Sequence, residues 1–330
     1  MSTRIAATLL ALALLLPSSA IPIAAQEPGA DPGTDFSDPA TWDEWLLAVG
    51  DSTDVTEDPI GAPCRLWVRE VGDGPRLVFL HGGWGGELES LFYDFQPLAD
   101  EFRLTFYDQR GSLRSRCDGP ATAADHVSDL EALRRSLGEE RLVLVGHSNG
   151  TWLAMAYAEA HPDRVAGLLL LAPVWPTPDE PDVEGPPRWE RPEVAAELAR
   201  QGLVLPRRPE DGARGQSMNH RIIFAAVNLH DVTKWREVRP PWTYAGAAAS
   251  SAAESMPADY DFRPTLAALA GDGVPVLVVQ GDDDFLPPAT WTETVPGVDR
   301  VVIERAGHVL YVDRPTRVLG LVRKFGLEID

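Results

Sequence analysis

Gly146-His147-Ser148-Asn149-Gly150 is the segment of this chain whose residue types are best suited to covalent chemistry. The apolar run Leu142–Val145 precedes it and a helical pattern, Thr151–Ala160, follows. That is the strand-turn-helix setting a G-x-S-x-G match requires, in which a sharp turn projects the serine hydroxyl out of the sheet. The flanking glycines permit the strained backbone and close packing of such a turn. Ser148 is therefore the expected nucleophile. A serine hydroxyl needs a base, and behind this kind of elbow an acid and a histidine follow in chain order, each after a later strand. Of the 7 histidines only His308 lies just beyond a late strand, Val301–Ile303. His81 and His147 flank glycine turns and read as backbone supports, and His161 opens a His-Pro-Asp-Arg turn. His126 reads as a surface position on a helix, while His220 and His230 fall in a stretch without strands.

The acid is expected from Asp282, Asp283 or Asp284, which follow a strand ending at Gln280. The pattern Gly281-x-x-Asp284, with Pro288 beyond it, favours Asp284 and leaves Asp282 and Asp283 as solvated turn residues. A carboxylate there would hold the imidazole in the right tautomer and stabilise its charged form. Acyl transfer also needs donors for a developing oxyanion. One is the backbone N–H of Asn149; the other is expected from His81-Gly82-Gly83-Trp84-Gly85-Gly86, after the apolar run Leu77–Leu80, with Gly83 preferred and Trp84 next. A phosphate cradle is the rival reading of this glycine cluster, but no P-loop lysine follows it. Neither a metal nor a cofactor is implied.

These residues require a scaffold of alternating strands and helices, and the chain supplies one. Strand patterns at Arg65–Val71, Leu77–Leu80, Leu104–Tyr107, Leu142–Val145, Leu168–Leu171, Val274–Val279 and Val301–Ile303 alternate with helical patterns at Leu88–Leu98, Ala124–Leu137, Thr151–Ala160, Thr265–Leu269 and Thr316–Phe325. Several of the strands are apolar on both faces, as buried parallel strands are. The fold class is α/β, a mostly parallel sheet layered by helices. From about Pro173 to Asp261 the rhythm stops in favour of Pro, Trp and acidic residues and an Ala/Ser-rich run at Ala245–Ala253. A structureless loop of that length is improbable inside a compact domain, so a mainly helical lid is expected there, inserted after the sixth strand. No internal repeat is present.

Arg4 is the only charge before Glu27, and Ile5–Leu16 is almost wholly apolar, ending in Pro17-Ser18-Ser19-Ala20. Basic start, short apolar stretch and small-residue exit before Gln26 are the order of a secretory signal. The run is too short for a membrane-spanning helix. Residues 1–25 are therefore read as a removed signal, 26–60 as a leader and N-terminal segment, 61–172 and 262–330 as the two parts of the catalytic core, and 173–261 as the lid. Export, to periplasm or medium, would leave no stable membrane insertion. In an oxidising compartment Cys64 and Cys117 either form one disulfide or remain two thiols.

The composition fits this. The 330 residues carry Lys+Arg 29 against Asp+Glu 50, a formal charge of −21, with only 2 cysteines. That excludes a disulfide-dense miniprotein and argues against a nucleic-acid partner, whose phosphates this surface would repel. The expected partner is a small molecule or short peptide; the oligomeric state is left open.

Together the motifs resemble the α/β-hydrolase superfamily across roughly Arg65 to Phe325. Tyr107-Asp108-Gln109-Arg110-Gly111-Ser112, His81-Gly82-Gly83 and His161-Pro162-Asp163-Arg164-Val165 resemble motifs of prolyl aminopeptidase-like serine peptidases. Trp84 stands where that family has proline, Leu113 where it has a second glycine, and His147 and Asn149 depart from its elbow. The resemblance implies a serine hydrolase acting through an acyl-enzyme, leaning to aminopeptidase activity, and the N-terminal signal adds the expectation of export. A carboxylesterase of small acyl esters is the close alternative, and a non-catalytic ligand-binding protein on the same fold the alternative of another class. The resemblance also implies lid carboxylates that bind a substrate amino group, with Glu190, Glu193, Glu197, Asp231 and Glu237 available. Glu190 and, beside the oxyanion turn, Trp84 are the expected substrate contacts. Asp108 and Arg110 are expected to brace loops around the site.

Overall fold

The computed structural model of the protein describes residues 34–50, 62–181, 190–202, 224–238 and 245–329. The expected signal and parts of the expected leader and lid lie outside the described residues. Eight strands form one sheet: β1 (Trp42–Ala48), β2 (Arg65–Val71), β3 (Arg76–Leu80), β4 (Arg103–Tyr107), β5 (Leu142–His147), β6 (Val165–Leu171), β7 (Val276–Gly281) and β8 (Val298–Ile303). Their order is β1-β2-β4-β3-β5-β6-β7-β8. β2 runs antiparallel to both β1 and β4, and every pairing from β4 through β8 is parallel.

Seven of these strands match sequence patterns; β1 does not. Its residues Trp-Asp-Glu-Trp-Leu-Leu-Ala carry two acids on an edge whose first positions stay half-buried or exposed. Such a strand lacks a clean period-2 signal, and the segment read as leader and N-terminal segment contains a strand of the sheet. β7 starts at Val276 because Pro275 has no N–H to donate to a ladder, although its carbonyl accepts from Leu168. β8 starts at Val298, earlier than its apolar run, because the edge tolerates Asp299 and Arg300.

Alternation along the strands divides the core between the two faces. Phe79, Leu104, Phe106, Val145, Leu169 and Leu171 pack on one side with Leu88–Phe102 and the C-terminal helix Pro315–Leu327. Val78, Leu80, Tyr107, Leu144, Leu168 and Leu170 pack on the other with the helices Ala123–Ser136, Asn149–Ala160 and Arg263–Gly271. These central strands are buried on both faces, which accounts for their unbroken apolar runs. The helix Asn149–Ala160 is buried almost all round, so it holds the residue before it, Ser148, against the middle of the sheet.

The lid follows β6. Its described parts are the helix Pro192–Arg200, helical residues 224–228, a short turn of helix Val232–Arg236 and the helix Gly246–Glu254. Ser251 and Ser255 accept from the backbone N–H groups of Ala121 and Ala123, which docks the last of these helices on the core. Cys64, the residue before β2, and Cys117 are joined as a disulfide. No helix among the described residues is long and apolar enough to cross a membrane.

Candidate active site

Ser148 sits between β5 and the helix Asn149–Ala160 at φ 53° and ψ −124°. An L-residue there is strained by roughly 1–3 kcal/mol, held by the structure on either side. Its N–H donates to Leu171 and its carbonyl accepts from the Thr151 N–H and hydroxyl. The two motif glycines are required by contact rather than by φ. A Cβ on Gly146 would lie 2.6 Å from the Gly150 carbonyl oxygen, and one on Gly150 would lie 2.1 Å from that of Leu80. Only bare backbone lets the elbow sink between β3 and β5.

His308 and Asp284 come from the loops after β8 and β7. His308 Nδ1 lies 2.8 Å from Asp284 Oδ1, and the side chains are 4% and 2% exposed. The Leu286 N–H donates to the same carboxyl oxygen at 3.0 Å. Gly281 allows the two loops to meet, since a Cβ there would strike the Ala306 carbonyl oxygen at 2.1 Å. Asp313, 1% exposed, fixes the His308 loop to the lid: it accepts from the N–H groups of Gly307, His230 and Asp231.

Ser148 and His308 line one cavity of about 210 Å³, together with Gly82, Gly83, Gly86, Glu87, Ser90, His147, Phe285 and Tyr311. Phe224, Val227 and Asn228 reach it from the lid. Phe285 lies over His308, ring centroids 4.4 Å apart. Gly83, at φ 66°, belongs to this lining, and Asn149 opens a helix whose first N–H groups have no intrahelical acceptor. A serine hydroxyl, a carboxylate-held imidazole and free N–H donors around one small cavity are the components of acyl transfer.

The remaining motif residues brace this arrangement. Burial pushes the His147 imidazole down to about 3, so it is neutral near pH 7, and its Nε2–H donates to the His308 carbonyl at 3.1 Å. Burial likewise pushes His81 down to about 4, and its Nε2 accepts from the Gln109 N–H at 3.1 Å. Asp108, fully buried, accepts from the Leu88 N–H and from Arg114. Arg110 forks onto the buried Asp129 at 2.9 and 2.5 Å.

Several expectations need correction. His126 is not on the surface: it is 1% exposed, packs 4.8 Å from the Trp84 ring, and burial lowers it to about 3. Asp283 is no solvated turn residue, since it accepts from both Arg191 and His230 at 2.8 Å. Trp84 is buried against His126 and Trp152 rather than in the cavity wall, and Glu190 is exposed outside that wall. Of the other lid acids, Glu193, Glu197, Asp231 and Glu237 do not line it either. His220 lies outside the described residues. Sequence reasoning passed over Glu87, Phe285 and Tyr311. Glu87 directly follows the glycine turn, Phe285 directly follows Asp284 and Tyr311 stands three residues after His308, so proximity to the motifs was the available signal.

A parallel sheet with this elbow and these loop ends defines the class of the α/β hydrolases. A family model described as alpha/beta hydrolase fold matches residues 75–315, and the chain belongs to that family. Over 112 residues it is 43% identical to a proline iminopeptidase of Neisseria meningitidis serogroup A, 32% of this chain and 36% of that protein. The matched stretch thus spans about a third of the length of such curated relatives. Mouse 1-acylglycerol-3-phosphate O-acyltransferase ABHD5 is 26% identical over 299 residues, covering 81% of this chain and 82% of that protein. A thermophilic esterase from Thermogutta terrifontis superposes with a TM-score of 0.60 at 24% identity, covering 86% of this chain and 97% of that one. At that identity the likeness is one of fold.

Proposed function

We propose that this protein is an exported serine hydrolase that cleaves an ester or amide through an acyl-enzyme. The observation that carries the reading is the buried His308–Asp284 pair at 2.8 Å, set in the same cavity as Ser148 on its strained elbow. Ser148 Oγ attacks the substrate carbonyl while His308 Nε2 takes its proton. Asp284, at Nδ1, keeps the tautomer and stabilises the imidazolium. The Gly83 and Asn149 N–H groups donate to the oxyanion. His308 then gives its proton to the departing amine or alcohol, and water, deprotonated by the same imidazole, releases the acyl group.

Within this class we favour an aminopeptidase, which removes an N-terminal residue. The proline iminopeptidase relatives, matched over about a third of this chain, support it. A carboxylesterase of short acyl esters is the second reading, favoured by the small size of the cavity. The Cys64–Cys117 disulfide supports an oxidising destination.

The test is paired turnover of an aminoacyl arylamide and a short acyl ester, with fluorophosphonate labelling of wild type and Ser148→Ala. Labelling at Ser148 and cleavage of the arylamide are expected. Cleavage of the ester alone would reject the peptidase, and a folded protein that does not label would reject the enzyme.

A further inference from the structure

Glu87 is the carboxylate of the cavity wall that the mechanism above does not use. It sits on the turn between β3 and the helix Glu89–Phe95, and the residue is 2% exposed. The Glu89 N–H donates to its Oε2 at 2.7 Å, and its own carbonyl accepts from the Ser90 hydroxyl at 2.7 Å. These bonds fix the side chain, while no donor among the described residues reaches Oε1.

The charges around it do not balance. Arg114 Nη2 stands 3.7 Å from Glu87 Oε2, but this guanidinium is already engaged by Asp108 at 2.7 Å and by Glu89 at 3.0 Å. Arg69, the other cation near Glu89, bonds Glu44 at 2.7 Å. Two guanidinium groups therefore serve four carboxylates, Glu44, Glu87, Glu89 and Asp108. Among the described residues no lysine or arginine lines the cavity, and the lid contributes Phe224, Val227 and Asn228. None of the described lid acids lines the cavity. A carboxylate at the edge of water-poor surroundings with excess negative charge beside it gains from a cation brought by a ligand. Burial, together with Asp108 and Glu89, pushes the free Glu87 carboxyl up to about 7, the same deficit seen as proton affinity.

We propose that Glu87 receives an alkylammonium group of the substrate and so selects cationic acyl groups over neutral ones of the same shape. The inference rests on the serine-hydrolase reading of this cavity, and it moves amine recognition from the lid to the oxyanion turn. A volume of about 210 Å³ leaves little distance between the ammonium and the carbonyl presented to Ser148. The selected cation is therefore one on the acyl side, next to the scissile bond.

Alanine methyl ester and methyl isobutyrate, which differ by an ammonium in place of a methyl, test it by titrated acid release near pH 7. Wild type is expected to prefer the alanine ester, and Glu87→Gln to lower the ratio of the two kcat/KM values about tenfold or more, as when one partner of a desolvated charge pair is removed. No preference in wild type, or an unchanged ratio in the variant, would overturn the proposal. A second measurement needs only wild type: isopropylammonium should slow fluorophosphonate labelling of Ser148 at concentrations where 2-propanol does not. Equal protection would again overturn it. Labelling itself reports the serine-hydrolase reading, so failure of that reading is distinguished from failure of the Glu87 proposal.

Discussion

Replacing Asp284 with asparagine isolates the electrostatic part of the proposed mechanism. In wild type Oδ1 faces His308 Nδ1 at 2.8 Å and also accepts from the Leu286 N–H, while Oδ2 is buried without a partner. The side chain keeps its shape in the variant, but the charge that stabilises the imidazolium is gone. Two unit charges about 4 Å apart attract by about 4 kcal/mol at an effective dielectric of roughly 20. Lost from the transition state, that is about a thousandfold in kcat. If the amide N–H group turns toward Nδ1 it also holds the wrong tautomer, and the loss approaches about 10⁴. The assay is kcat for the better substrate, with the melting temperature as a control. Stability should change little, because a buried oxygen without a partner is exchanged for a buried amide nitrogen. Asp282→Asn is the comparison, since Asp282 is exposed and its Oδ1 meets only the Ala306 N–H at 3.2 Å. A folded Asp284→Asn enzyme slowed less than about tenfold, or a larger loss in Asp282→Asn, would refute the assignment.

Gly150→Ala would set a Cβ 2.1 Å from the Leu80 carbonyl oxygen, and backbone cannot move aside as a side chain can. The expected loss is about 3 kcal/mol or more, read by denaturant unfolding, and an unchanged midpoint would mean the elbow is looser than described. Removing the disulfide by Cys64→Ser with Cys117→Ser opens a loop spanning a sequence separation of 53. Loop entropy puts the loss at about 4 kcal/mol, and thermal unfolding that matches wild type would deny the bridge a stabilising role. Arg110→Ala leaves Asp129 buried without its fork, at a cost of about 3–5 kcal/mol. Asp129 is pushed up to about 6 by burial even beside Arg110, and higher without it. The protonated form carries no charge to bury, so the deficit should be smaller near pH 5 than near pH 8. A deficit that grows on acidification would contradict that account.

The parts of the fold legible in the sequence are those where one physical demand dominates. Strands buried on both faces are largely apolar, so β3 to β7 stand out as runs, Thr105 in β4 and Gln280 in β7 being buried exceptions. The elbow glycines are set by contacts under 3 Å, and no other residue type satisfies them. His308 and Asp284 were found because strand ends are few and the chain order of acid and base is constrained. β1 was hidden because an edge strand answers to solvent on one side and to β2 on the other. His126 was misplaced because helical spacing shows which residues share a face but not which neighbouring element covers it; Trp84 covers this one.

The same limit governs charge. An acidic lid in the sequence points to a cationic substrate end, but composition carries no direction. Among the described residues no lid acid lines the cavity, and Glu197 pairs with Arg200. The carboxylate that faces the cavity belongs instead to Glu87, one residue past the glycine turn. Glycines there bring backbone close to Ser148: a Cβ on Gly82 would lie 2.9 Å from the serine Cβ. A turn pressed that close holds Glu87, the residue after it, at the cavity wall. A charge on this turn is therefore placed by the rigid part of the site, whereas a charge on the lid depends on how the lid closes. Specificity set by Glu87 would survive changes in the lid sequence that abolish specificity set by Glu190, and exchanging the lid acids for their amides separates the two directly.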